Sequence, residues 1–228
     1  MKRFYKSVSV QRQGGLFAVT LDGRPIKTPG GELMALRSER LADAIAAEWA
    51  AQDTEIDLDT MHLTKLAQAS IDGVPYRAAI AGRVLAFGRT DLVCYRAPEP
   101  PALAERQAAS WDMPLAWVRG RYHADLVVTT GLVHVPQPAS AVASLEQVIS
   151  ARDQYALTGL DAATGILGSL VLALAMADGK LTAADAFAAS QVDESFQSEK
   201  WGRDPEAEKR LTRLEASLEA AERFLRLL

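Results

Sequence analysis

Two hydrophobic periods divide the chain. Over the first 37 residues apolar positions recur in short, strand-length runs broken by glycine and proline, the pattern of half-buried strands. Tyr5 to Val10 leads to Gly14-Gly15, and Leu16 to Leu21 leads to Asp22-Gly23, a strong two-residue hairpin signal. Pro25 and Pro29 demote the third strand to an edge, and Gly30-Gly31 turns it into Glu32 to Leu36. Ser38 is placed to cap a helix whose inner face is Leu41, Ile45 and Trp49. After an acidic connector, Asp53 to Asp59, the period changes and the rest reads as helix and loop. The expected fold is α+β. A small β-rich N-terminal domain (a meander plus one helix) spans residues 1–58, and a mostly α-helical C-terminal domain spans 59–228.

Within the second part, helices are expected around Arg77–Gly88, around Ala102–Trp111 ending near Pro114, and over Ser144–Tyr155. Val127 to Pro138 mixes β-branched residues with breakers and reads as strand or loop. Leu160 to Ala177, opened by Thr158, is apolar almost all round and reads as one buried central helix. Gly165, Ser169, Ala173 and Ala177 form a small-residue stripe along it, suited to close helix approach. Gly179 stops this helix, and Thr182 with Asp185 opens the next as a capping box. Ala189, Val192 and Phe196 then share a helical face, and the stretch Asp193 to Arg210 joins two helices by a turn. There Gly202 takes the left-handed closing position, Asp204 caps the last helix and Pro205 fills its first position. That helix carries a seam of Leu211, Leu214, Leu218, Ala221, Leu225 and Leu228, which docks most simply on its own domain and leaves the chain a monomer.

A chain of 228 residues buries enough surface to fold without staples, and its single Cys94 excludes an internal disulfide. The longest apolar run, Gly165 to Ala177, falls short of the roughly 20 residues that span a bilayer, so no membrane insertion is expected. The opening MKRFYKSVSVQ resembles neither a secretory signal nor a transit peptide, which points to a bacterial-type cytoplasm. Net charge is −4 but unevenly spread: residues 1–30 hold six bases against Asp22, leaving the rest strongly acidic. An acidic chain is a poor general nucleic-acid binder, whereas a basic end on an acidic body suits the orientation of a partner.

Catalytic signatures are sparse. Neither GxxxxGK[ST] nor GxGxxG occurs, and His62, His123 and His134 lie far apart without a metal-site partner. Asp53, Glu55, Asp57 and Asp59 lack the central glycine of a calcium loop. Ser169 lacks the second glycine of a nucleophile elbow, and Cys94 in its apolar run reads as a buried small hydrophobe. Asp91 beside Arg96 supports a small hydrolase or transferase using one of the histidines, against the plainer reading of an ion pair or cap. Trp111 and Trp117, flanking Asp112, suit a ligand stack or a core anchor. An RNA-binding reading uses the basic meander with Phe4, Tyr5 and Phe17 as stacking faces.

The ordered motifs, taken together, resemble the ATP-twelve family, the α-subunit-specific assembly chaperones of the F-type ATP synthase. They begin with Arg3-Phe4-Tyr5-Lys6, Leu21-Asp22-Gly23-Arg24-Pro25 and Lys27-Thr28-Pro29. Glu48-Trp49 with Gln52, Met61-His62-Leu63-Thr64 and Ile71-Asp72 follow. Thr90 to Arg96, Gln107, Trp111-Asp112, then Glu194, Phe196-Gln197 and Trp201-Gly202 complete the series. The resemblance implies a β-rich domain followed by a helical one, no enzymatic activity, no cofactor, and the unassembled α subunit as partner. It makes Glu194 the first candidate for partner binding, with Gln197, Phe196 and Trp201 beside it. Read from the residues alone, Glu194 is as readily a solvated helix charge, and Phe196 and Trp201 read as core. Beyond Gly202 the longer family members continue with an aromatic-rich tail. This chain instead runs Arg203-Asp204-Pro205 into the leucine-seamed helix, so contacts of that tail do not transfer.

Overall fold

The computed structural model describes residues 1–202 and 204–228; Arg203, at the departure from the longer family members, lies outside them. Strands β1 (Val8–Gln13) and β2 (Leu16–Leu21) form an antiparallel hairpin pairing Val8 with Leu21 and Gln13 with Leu16. Both Asp22 and Gly23 take positive φ, 48° and 79°, as a tight hairpin turn demands. The first strand starts later than the sequence pattern suggests. The Asp22 carboxylate accepts the Lys6 and Ser7 N–H groups at 3.0 and 2.8 Å, which withdraws that stretch from the ladder. Strands β3 (Arg24–Pro25) and β4 (Ala35–Leu36) lie end to end along the same edge of β2.

Helix α1 (Glu39–Ala50) covers the sheet with Leu41, Ile45 and Trp49. Its cap Ser38 accepts from the Leu41 N–H at 3.3 Å, as expected. Helix α2 (His62–Asp72), which no sequence signal had separated from the connector, starts where the Glu48 carboxylate accepts the Leu63 and Thr64 N–H groups at 2.7 and 2.8 Å. The cap therefore comes from another helix, not from a local residue. At its other end Asp72 accepts from Thr28 Oγ1 at 2.6 Å and from the Gly30 N–H at 3.0 Å. A Cβ at Gly30 would stand 2.6 Å from Asp72 Oδ1, so this tie requires glycine.

The helical body contains α3 (Arg77–Arg89), α4 (Pro101–Tyr122), α5 (Ala139–Ser150), α6 (Gln154–Leu167), α7 (Leu170–Ala177), α8 (Ala183–Ser190), α9 (Val192–Trp201) and α10 (Pro205–Leu227). Four of these depart from the sequence pattern. The helix expected over Ser144–Tyr155 breaks after Ser150, because Asp153 accepts the Ala156 N–H at 2.8 Å and opens α6 at Gln154, ahead of Thr158. Helix α4 does not end near Pro114 but runs on for two turns with Pro114 buried inside it, forgoing one backbone bond. The stretch expected as one central helix is two. Gly168 takes φ 64°, Ser169 caps α7 through the Leu172 N–H at 3.0 Å, and Asp91 accepts the Val171 N–H at 3.0 Å. The small-residue stripe is thereby interrupted, and a Cβ at Gly165 would meet nothing within 4 Å. Close approach occurs instead at Gly159, where a Cβ would stand 2.8 Å from Leu225 Cδ2. Finally, α8 and α9 part at Gln191, so Ala189 sits on one and Phe196 on the other.

Not everything beyond the connector is helix and loop. A two-residue parallel pair joins β5 (Tyr95–Arg96) to β6 (Thr129–Thr130), so the ambiguous Val127–Pro138 stretch contributes a strand to the body and none to the N-terminal sheet. The Thr182–Asp185 capping box forms in both directions, and Gly179 stops α7 at φ 72°. The architecture is α+β, with a strand meander followed by a mostly helical region. Two apolar clusters hold it together. One gathers Val19, Leu36, Ile45, Trp49, Met61, Leu63 and, from the far end of the chain, Phe224. The other gathers Val84, Trp111, Leu145, Leu160 and nearly all of α7.

Candidate partner-binding surface

Helix α9 is pinned to α4 along one face. Gln107 is buried, accepts the Ala97 N–H at 2.7 Å and donates to Asp193 Oδ1 at 2.7 Å. Trp111 Nε1–H donates to the Ala189 carbonyl at 2.7 Å, which fixes the end of α8. Arg106 pairs with Glu199 at 2.7 Å and lies over the Phe196 ring at 5.1 Å. Its guanidinium holds the Glu199 carboxyl below the usual carboxylate range, chiefly through that hydrogen bond. Phe196 is thus turned inward, packed half-buried against the core.

The opposite face of α9 is open. Glu194, Gln197 and Trp201 fall at steps of three and four and all are exposed. Trp201 is 76% exposed, so the core reading of this residue is corrected: its ring is largely open, with the Lys200 ammonium 5.7 Å from its centroid. The turn after it closes with Gly202 at φ 90° and ψ 172°, an extended glycine conformation in place of the left-handed helical one expected. Asp204 then caps α10 through the Glu206 N–H at 3.0 Å, with Pro205 at the first position.

Between α9 and α10 lies a cleft of about 690 Å³. Phe187, Ala188 and Leu211 give it apolar walls, while Glu194, Glu199, Asp204, Glu208 and Glu215 face Arg210 as its sole base among the described residues. Of the four candidates, Glu194 alone lines the cleft; Gln197 and Trp201 flank it, and Phe196 supports it from behind. Glu194 has no hydrogen-bond or ion-pair partner among the described residues, so its charge is available to a visitor. The acidic residues that α10 adds were not singled out from sequence. Glu208, Thr212 and Glu215 recur at steps of four and three, the signal that places them on one helical face.

The residues of the hydrolase reading do not form a site. Asp91 is fully buried, accepting the Val93 and Val171 N–H groups at 3.3 and 3.0 Å as a double cap. Burial pushes its carboxyl up to about 6. Arg96 pairs with Asp112 at 2.8 Å and stacks over Trp111 at 5.0 Å. His134 meets the Tyr95 hydroxyl at 3.3 Å and, among the described residues, hydrogen-bonds to neither Asp91 nor Arg96. Cys94 is buried, and burial, with the Asp91 charge beside it, pushes its thiol up to about 12, which leaves it inert. Trp111 is a core anchor, fully buried. Among the described residues no helix is long and apolar enough to cross a membrane.

Several of the quoted motif residues act as braces within the fold. Thr28 bonds Asp72, Glu48 caps the helix of Thr64, Gln52 accepts the Asp57 N–H at 2.7 Å, and Gln107 reaches Asp193. Residues 2–119 match the model of the ATP12 chaperone protein family. The chain belongs to that family. ATP12 from Paracoccus denitrificans has a crystal structure that superposes with a TM-score of 0.94 at 39% identity, covering 99% of this chain and 97% of that one. A protein from Agrobacterium tumefaciens superposes with a TM-score of 0.95 at 35% identity, covering 99% of this chain and 85% of that one. Protein atp12, mitochondrial, of Schizosaccharomyces pombe is 22% identical over 214 residues, which is 88% of this chain and 74% of the relative. The chain is accordingly a chaperone of ATP synthase assembly and not an enzyme.

Proposed function

We propose that this ATP12-family chaperone binds the unassembled α subunit of the F-type ATP synthase, without nucleotide, and keeps it from aggregating until the catalytic hexamer forms. The observation that carries this reading is the open face of α9. An unpaired carboxylate, Glu194, stands on an acidic cleft with apolar walls, and an indole that is 76% exposed stands beside it. An acidic chain with partly apolar walls suits an apolar, basic-flanked surface of a subunit awaiting its neighbour. Holding without ATP works by mass action. At a concentration of 100 times Kd, binding stabilises the held state by about 2.7 kcal/mol, and a tighter partner displaces the chaperone. Bacterial relatives among the similar structures support placing this encounter in a cytoplasm.

Purified α subunit mixed with this protein in nucleotide-free buffer tests the reading by co-elution in size-exclusion chromatography. A shared peak for the parent chain is expected, weakened about ten-fold in apparent affinity by Glu194→Lys. Separate elution of the parent and α at micromolar concentrations removes the reading.

A further inference from the structure

A second cleft, of about 690 Å³, opens on the N-terminal domain, away from the α9–α10 surface. Its walls include Phe4, Tyr5, Ile26 and Trp49, with Arg24 and Lys27 among the lining residues. Three features set it apart from a packing groove. Arg24 and Lys27 are exposed, and neither has an ion-pair or hydrogen-bond partner for its side chain among the described residues. The one acid in the lining, Asp22, is spent on the Lys6 and Ser7 N–H groups and the Ser7 hydroxyl. Phe4 is 65% exposed at its mouth.

We infer that this cleft receives an acidic segment of a partner protein, with an apolar side chain against the exposed Phe4 ring and carboxylates at Arg24 and Lys27. Carboxylates are the groups that answer two exposed, unpaired cations side by side in one cleft. The wider charge distribution agrees, since residues 1–30 hold six bases against one acid on a chain of net charge −4. RNA fits less well, because Tyr5 and Trp49 are 5% and 6% exposed and offer no open faces for base stacking.

The test titrates the nitrogen-15-labelled chain with the peptide acetyl-Asp-Glu-Leu-Phe-Asp-Glu-amide, with its lysine-for-acid counterpart, and with a uridine oligonucleotide. The chain has four tryptophans, and the Trp49 indole resonance is assigned by its loss in Trp49→Phe. The acidic peptide is expected to shift the Trp49 indole resonance while that of Trp117 stays in place, with affinity falling as salt rises. Arg24→Glu combined with Lys27→Glu should weaken binding about ten-fold or more in a chain whose spectrum shows it folded. An unmoved Trp49 resonance, equal affinity in the double variant, or tighter binding of the oligonucleotide overturns the inference. So does a dimer in sedimentation that the double variant abolishes, because the occupant is then a second copy with its own acidic cleft. No α subunit enters this experiment, so its failure leaves the α-subunit reading standing.

Discussion

Glu194 and Asp91 show how one chemical group, a side-chain carboxyl, serves opposite ends in this molecule. Glu194 is exposed and unpaired, so reversing its charge leaves the fold alone: surface changes of this kind stay within about 0.5 kcal/mol. Glu194→Lys is therefore expected to unfold in urea with the parent's midpoint while losing affinity for the α subunit. A shifted midpoint would instead assign the residue to the fold. Asp91 is a buried cap, with its carboxyl raised by burial to about 6 from an ordinary value of 3.8, against the opposing pull of its hydrogen bonds. Between those values the folded chain keeps a proton that the unfolded chain releases. The stability this group contributes is thus fully present below about pH 4 and is lost as pH rises through about 6. Relative to Asp91→Asn, the parent should lose on the order of 2 kcal/mol between pH 4 and pH 7, read from urea midpoints at each pH. Parallel profiles for the two chains contradict the buried titration. Sequence reading reached Asp91 as a cap or ion pair but could not find its partners, because Val171 lies eighty positions away. Trp201 was misread for a related reason. Aromatic size argues for burial, whereas the side of α9 that meets α4 is decided by Gln107 and Arg106, in another helix.

Among the elements, α10 carries the most architecture. Its middle packs on α6 and α8, and its end crosses into the N-terminal cluster, where Phe224 is fully buried and stacks against Tyr155 at 6.3 Å. The Leu227 carbonyl accepts from Ser38 Oγ at 2.5 Å, tying the last turn to the cap of α1. Phe224→Ala is expected to cost about 3–5 kcal/mol in one cooperative transition, seen as a lowered urea midpoint with the slope unchanged. If only the helical body kept the parent's midpoint and the N-terminal region melted separately, α10 would not couple the two clusters. The leucine seam announced that this helix docks, yet Phe224 stands outside the seam as read. Local caps were legible wherever the capping side chain is a neighbour in sequence, as at Ser38, Thr182 and Asp204. The break between α6 and α7 was hidden because apolar residues continue across it and only Gly168-Ser169 mark it. Likewise α2 is capped by Glu48 from α1, and Pro114 persists inside α4 because tertiary packing buries it there.

For the whole molecule, the change of hydrophobic period near the acidic connector separated a strand meander from a helical remainder, and that division was legible because periods of two and of 3.6 residues are distinct over tens of positions. The candidate site was legible only in part. Glu194, Gln197 and Trp201 share an open face, but the cleft that gives Glu194 its setting needs α10 folded back beside α9, and no local pattern specifies that distance. Thr28–Asp72, Glu48–Thr64 and Gln107–Asp193 brace the segments around that surface, and the proposed holding of a client rests on the charge and apolar area exposed there. Light scattering from the isolated α subunit as it refolds tests this most directly. With an equimolar amount of this protein and no nucleotide, scattering should fall to a small fraction of that of α alone, and folded Glu194→Lys should restore most of it. Scattering unchanged by the parent chain would contradict the account.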